Sequence, residues 1–268
     1  MNSAPLLHTP PAGHESLTEL GVRFLRFNAP ETKNALTREM GVHFYKAIQG
    51  LKDDKGCRVV ILTGEGDCFS AGGDFKFLEE RCRDTPTNNR LAMKSFYDAF
   101  LSIRELRVPV IAAVQGHAIG AGLALALATD LRVVAQEAKL GLTFVGLGLH
   151  PGMGATFFTD RAIGRQRAHW ALLTGARFSG AQAHDWGMFL EALPKELVLE
   201  QAIEVAQQIA QQSPNAVQTT LKTLREYDEA GLQAALWKEA VGQSLCYGHT
   251  EMKEGLTAVQ EKRKPSFT

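Results

Sequence analysis

Charge of neither sign dominates this 268-residue sequence: 29 lysines and arginines stand against 29 aspartates and glutamates, for a formal net charge of zero. Nucleic-acid binding usually requires a basic excess, so no nucleic acid is expected as a partner. Cysteine is scarce, with four residues at 57, 68, 82 and 246 and neither CxxC nor zinc-ligand spacing. Neither a disulfide framework nor a metal site is expected, and a reducing compartment fits. The longest nearly pure apolar run, Ala118 to Ala128, is too short to span a bilayer and holds two glycines. The opening stretch, MNSAPLLHTPPAGHE, has no basic segment followed by an apolar one, so no signal peptide is read. These absences predict a cytoplasmic protein with no membrane partner.

What is present is ordinary in bulk and informative in pattern. Hydrophobic residues make up 45% and charged residues 22%, as in soluble globular chains. Residues 1–15, rich in Pro and His, read as a loose arm. Val22 to Phe27 alternates as a strand, and Thr37 caps a helix that runs to about Leu51 with Met40, Phe44 and Ile48 on one face. Val59-Val-Ile-Leu and Val110-Ile-Ala-Ala-Val114 are β-branched or apolar throughout, as buried parallel strands are. Strands alternating with helices predict an α/β core over residues 1–194, whereas residues 195–268 carry helical spacing only.

A strand, a glycine turn and a helix occur in that order twice: VVILTG with FSAGGD, and VPVIAAV with QGHAIGAG. Glycine lets the backbone approach a ligand closely, and the first turn of a helix presents unpaired N–H groups. Two such turns facing each other aim two N–H donors at one oxygen, the geometry of an oxyanion hole. The plainer reading is that the glycines only permit tight turns. GxGxxG after a strand, GxxxxGK[ST] and GxSxG are all absent, which argues against dinucleotide, P-loop and α/β-hydrolase chemistry.

PETKNALT, RVVILTGEGDCFSAGGDFK, VPVIAAVQGHAIGAGLALALATDLRVVA and LGLTFVGLGLHPGMGA follow one another from about residue 20, with EKRKPSF at the end. Together they resemble the crotonase (enoyl-CoA hydratase/isomerase) superfamily. The resemblance implies a crotonase-like spiral of ββα repeats with a helical C-terminal trimerisation region, and a homotrimer or dimer of trimers. It implies an acyl-CoA thioester of fatty acid metabolism as partner, with coenzyme A as part of the substrate and no permanently bound cofactor. By motif position the oxyanion donors are the backbone N–H groups of Gly73 and Ala121. CoA contacts carry over onto Lys33, Ala71, Asp74 and Lys76, and onto Lys262 in the terminal EKRK.

Two glutamates add water across the double bond in the hydratases that the chain resembles. Their positions hold Ala124 and Phe144 here, and no acid occurs from Ala118 to Thr129 or from Lys139 to Ala155. General acid–base groups contribute about 10²–10⁴-fold each, so their absence weighs against hydration. His150 before Pro-Gly is the candidate acid/base, with His117, Tyr97 and Lys94 as further polar candidates. Met153, Phe144, Leu142 and Leu123 read as an acyl pocket or as plain core. The resemblance implies an acyl-CoA-binding, enoyl-CoA hydratase/isomerase-like enzyme that stabilises a thioester enolate in a two-N–H oxyanion hole; the alternatives are a crotonase-fold decarboxylase or hydrolase using other side chains, and a low-activity CoA-binding or structural member.

Overall fold

A computed structural model describes residues 5–267. The chain opens with β1 (Leu6–Leu7), β2 (Val22–Phe27) and α1 (Arg38–Asp53). Three similar units follow. The first is β3 (Val59–Gly64), β4 (Cys68–Ser70), α2 (Phe75–Arg81) and α3 (Pro86–Leu101). The second is β5 (Val110–Val114), β6 (His117–Ile119) and α4 (Ala121–Leu127). The third is β7 (Leu131–Ala135), β8 (Lys139–Gly141) and α5 (Ala155–Thr174). Next come β9 (Arg177–Ser179), α6 (Gly180–Asp185) and β10 (Glu191–Leu193). The remainder is helical: α7 (Val198–Ala210), α8 (Pro214–Glu226), α9 (Glu229–Cys246) and α10 (Thr250–Gln260).

The first strand of each unit joins a six-stranded sheet, ordered β1-β2-β3-β5-β7-β10, and the second joins a four-stranded sheet, ordered β4-β6-β8-β9. Neighbouring strands are parallel except at β1–β2 and β8–β9. This is the expected spiral of ββα repeats. Every residue of β3 and of β5 is buried, because the larger sheet is covered on both faces. One cover is α7, which lies across β3, β5 and β7. The helix α4, AGLALAL, is buried at every position, which its all-round apolar sequence requires. Among the described residues no helix is long and apolar enough to cross a membrane.

The differences from expectation are local. Of the arm read as loose over residues 1–15, residues 1–4 lie outside the described residues. Leu6 and Leu7 pair antiparallel with Phe27 and Arg26, and Leu6 is buried, so two apolar residues anchor the arm to the sheet edge. The helix α3 begins at Pro86, with Thr85 accepting the Asn88 N–H at 3.3 Å; proline suits the first helical position, where no N–H is needed. The strands β6, β9 and β10 have three residues each, too few to display a period of two.

One polar cluster ties the helical end to the sheet. Asp130 follows α4 and accepts the Val110 N–H at 2.8 Å. Its two oxygens receive Arg225 Nε and Nη2 at 2.9 and 2.6 Å. The same guanidinium donates to the carbonyls of Arg104 and Leu106 at 2.9 and 2.6 Å. A fork on a carboxylate, with the remaining donors also satisfied, is the geometry in which a shielded ion pair holds. Asp130→Ala leaves that guanidinium facing buried carbonyls alone. It is expected to lower stability by about 2–3 kcal/mol, read as a fall in the urea midpoint with an unchanged slope; an unchanged midpoint refutes the role.

Candidate functional site

The loop after β4 is shaped by a single buried asparagine. Asn34 is fully buried, with φ of 53°. Its side chain accepts the Ala29 N–H at 2.9 Å and donates to the carbonyls of Glu65 and Cys68 at 3.0 and 2.7 Å. Around it the segment 33–36 runs beside 70–74. Ala71 N–H donates to Lys33 O at 2.9 Å, Leu36 N–H to Gly72 O at 2.8 Å and Asp74 N–H to Leu36 O at 3.3 Å. Ser70 Oγ donates to Asn34 O at 2.8 Å. Asp74 then caps α2 by accepting the Phe77 N–H at 3.0 Å.

The second turn comes against the first because two side chains are missing. A Cβ on Gly72 (φ 89°) would lie 2.5 Å from Ile119 O, and one on Gly122 would lie 2.5 Å from Ser70 O. Parallel pairing of β4 with β6 brings the strands that carry the turns together. Gly73 N–H and Ala121 N–H have no acceptor within the chain among the described residues. Gly73 is the bridge partner of Leu36, and Ala121 is the first residue of α4. Both line one cavity of about 510 Å³. Two free N–H groups on facing turns are what an oxygen gaining negative charge requires.

The sequence profile of the enoyl-CoA hydratase/isomerase family matches residues 18–268. The chain belongs to this family. It is 31% identical over 246 residues to the 2,3-dehydroadipyl-CoA hydratase of Escherichia coli K12, covering 92% of this chain and 94% of the relative. It is 33% identical over 258 residues to the 1,2-epoxyphenylacetyl-CoA isomerase of the same organism, covering 94% and 97%. An enoyl-CoA hydratase/isomerase structure from Pseudoalteromonas atlantica superposes with a TM-score of 0.84 at 27% identity, covering 99% of this chain and 100% of that one. The fold is therefore the crotonase fold, and the protein is an enzyme of a family that acts on CoA thioesters.

Within the cavity of this family member the predicted residues divide. Lys33, Ala71, Gly73, Asp74 and Ala121 line it together. Lys76 and Lys262 are exposed and outside its lining. His150 is also outside the lining: its ring packs on Gly242 of α9, and its Nδ1 lies 2.6 Å from Pro151 O. The PGMG turn directs the next residues, Gly152 and Met153, inward instead. Lys94 pairs with Asp98 on the outside of α3 at 2.6 Å. Ala124 is buried within α4, and Phe144 is on the cavity wall. Asp74 is the one carboxylate lining the cavity among the described residues, and it is engaged as a helix cap.

The polar interior consists of groups held neutral. Burial pushes the Cys68 thiol up to about 11, so it is not a thiolate nucleophile. Burial, and then the nearby Glu239 charge, raise the Tyr97 hydroxyl well above its ordinary value. That hydroxyl donates to Gln243 Oε1 at 2.7 Å, and Gln243 Nε2 donates to His150 O at 2.9 Å. Gly152 admits the pair: a Cβ there would meet Tyr97 Oη at 2.5 Å. Charge collects where Lys33, His117, Lys139 and Arg177 line the cavity and are exposed. Partial burial, with Lys139 and Lys33 nearby, holds His117 below the usual histidine value, and its Nδ1 accepts the Lys139 N–H at 3.0 Å.

Sequence reasoning did not find Gln243, Lys139 or Arg177. Gln243 has no local signal, since only the path of α9 brings it to Tyr97. Lys139 and Arg177 sit on the paired strands β8 and β9, and β9 was not expected.

Glu239 of α9 supports the same region from behind. It is buried and accepts the N–H groups of Gly154 and Thr156 at 2.6 and 2.9 Å and the Thr156 hydroxyl at 2.5 Å. These donors open α5, where a negative charge is favoured; desolvation is the larger effect and raises the carboxyl above its ordinary value. A raised acid binds its proton more tightly when folded, so its contribution is fullest below the unfolded value of 4.5 and is lost as pH rises through the folded value. Wild-type stability relative to Glu239→Gln is therefore expected to decline as pH rises above 4.5. Urea titrations of both proteins across that range check it, and a rising difference refutes it. Separately, Gly72→Ala is expected to cost about 1–2 kcal/mol from its positive φ alone, and more from the contact with Ile119 O. Loss of acyl-CoA binding together with a lowered melting temperature is the expected reading.

Proposed function

We propose that the cavity binds an acyl-CoA thioester and that the N–H groups of Gly73 and Ala121 hold the enolate oxygen formed from it. The single observation carrying this reading is that both donors lack internal acceptors and line the same cavity. The exposed cations Lys33, Lys139 and Arg177 suit the phosphates of CoA. Exposed Lys76 and Lys262 remain candidates for the nucleotide end, Lys262 from a neighbouring subunit. Exposed Leu224, Tyr227, Trp237 and Leu245 on and just after α8 and on α9 support a trimer, or dimer of trimers, built through these helices.

Because, among the described residues, the cavity offers no carboxylate free to act as a base, hydration is disfavoured. A second reading follows from the same fact: loss of CO₂ from a β-carboxyl thioester needs no base. The Cα–carboxylate bond breaks, its electron pair passes into the enolate held by the two N–H groups, and Cα then takes a proton. Tyr97, kept protonated on the cavity wall, is the donor proposed for that step.

Purified protein offered crotonyl-CoA, a 3-enoyl-CoA and methylmalonyl-CoA distinguishes these reactions, with CoA-thioester binding recorded on the same sample. Binding is expected, with crotonyl-CoA hydration slower by about 10⁴-fold or more than when two acid–base groups act. Turnover of the methylmalonyl thioester supports the decarboxylase, and turnover of the 3-enoyl thioester supports the isomerase. Ala121→Pro removes one donor at a helix position that tolerates proline. It is expected to reduce the observed turnover by about 10²–10³-fold at little change in melting temperature. A folded, fully active variant overturns the oxyanion assignment, and a protein that binds no CoA thioester is a structural member of the family.

A further inference from the structure

The acyl cavity shares a wall with a second void. A groove of about 430 Å³ lies between α1 and α3, lined among others by Gly41, Val42, Tyr45, Ala92 and Ala99. Phe77 and Phe96 line both this groove and the cavity that holds Gly73 and Ala121. Their rings stack, with centroids 5.4 Å apart and planes 15° from parallel. Nothing else among the described residues faces both spaces.

The partition is braced on each side. Arg38 and Arg81 place their guanidinium carbons 5.1 and 5.4 Å from the Phe77 ring centroid. Arg81 is itself buried and paired with Asp84 at 2.9 Å. Phe96 packs on Phe100 at 4.9 Å. Phe77 is also near the chemistry, because it lies on the first turn of α2, four residues beyond Gly73, and lines the same cavity. An apolar chain attached to a thioester carbonyl at Gly73 therefore meets this wall within a few methylenes if it runs along α2.

Resting on the thioester reading above, we propose that the stacked Phe77–Phe96 pair is the chain-length stop of the acyl cavity and restricts the protein to short acyl groups. The groove behind it is the space a longer chain enters once the stop is cut back. Phe96 is the more telling of the two to change, since Phe77 is held by two arginines as well.

Isothermal titration with butyryl-, octanoyl- and dodecanoyl-CoA tests this on wild type, Phe96→Leu and Phe96→Ala, with circular dichroism confirming the fold. Phe96→Leu keeps the test available if the alanine variant fails to fold. The wild type is expected to bind butyryl-CoA at least as tightly as dodecanoyl-CoA. Each newly buried methylene strengthens binding about fourfold, so the variants are expected to gain at least tenfold for dodecanoyl-CoA while butyryl-CoA binding changes little. A wild type that already prefers dodecanoyl-CoA, or folded variants with the wild-type profile, overturns the stop and leaves the thioester reading standing. Failure of the wild type to bind any of the three overturns both.

Discussion

Two carbonyl oxygens, those of Ser70 and Ile119, occupy the space that side chains on Gly122 and Gly72 would need. The proposed oxyanion site depends on that contact. It lets the turn after β4 and the turn after β6 touch through backbone alone, which puts the N–H groups of Gly73 and Ala121 on one cavity. The bridge between Leu36 and Gly73 and the buried Asn34 side chain then hold the first turn from its other side. Backbone donors fixed in this way need no reorientation when charge develops, and an apolar surround strengthens their effect.

The electrostatics of the cavity follow the same division. Cations stand where the wall is exposed, at Lys33, Lys139 and Arg177, and the ionisable groups on its buried part, Cys68, Tyr97 and Tyr247, are shifted toward their neutral forms. An anion formed inside therefore has no resident negative charge to compete with beyond the capping Asp74. Burial is the largest cause of this pattern, because desolvation raises a phenol and a thiol alike.

The sequence was most legible where one local rule decided the outcome. VVIL and VIAAV had to be buried strands, Thr37 had to begin α1, and the helices beyond residue 195 follow their apolar spacing. The glycine turns were legible as turns, and their pairing as a site came from the ordered family motifs. What stayed hidden depends on long-range packing. A leucine pair in a proline-rich arm gives no sign of its antiparallel partner, and three-residue strands show no period. His150 looked apt by residue type, yet the turn after it sends Gly152 and Met153 inward and leaves the imidazole against Gly242. Gln243 is polar on a helix of mixed composition, so only its distance to Tyr97 identifies it.

The cavity walls come from both ends of the chain. Gly73 and Ala121 arrive from the sheet turns, whereas Gln243, Tyr247 and Val259 arrive from the final helices or beside them. The stretch before residue 195 thus contains the donors but not a closed chamber around them. Exchange of the last third of the chain between two relatives would replace the wall formed by Gln243, Tyr247 and Val259 while leaving the turns at Gly73 and Ala121 untouched. Variation in what the family accepts can then accumulate in helices remote in sequence from the residues that bear the charge.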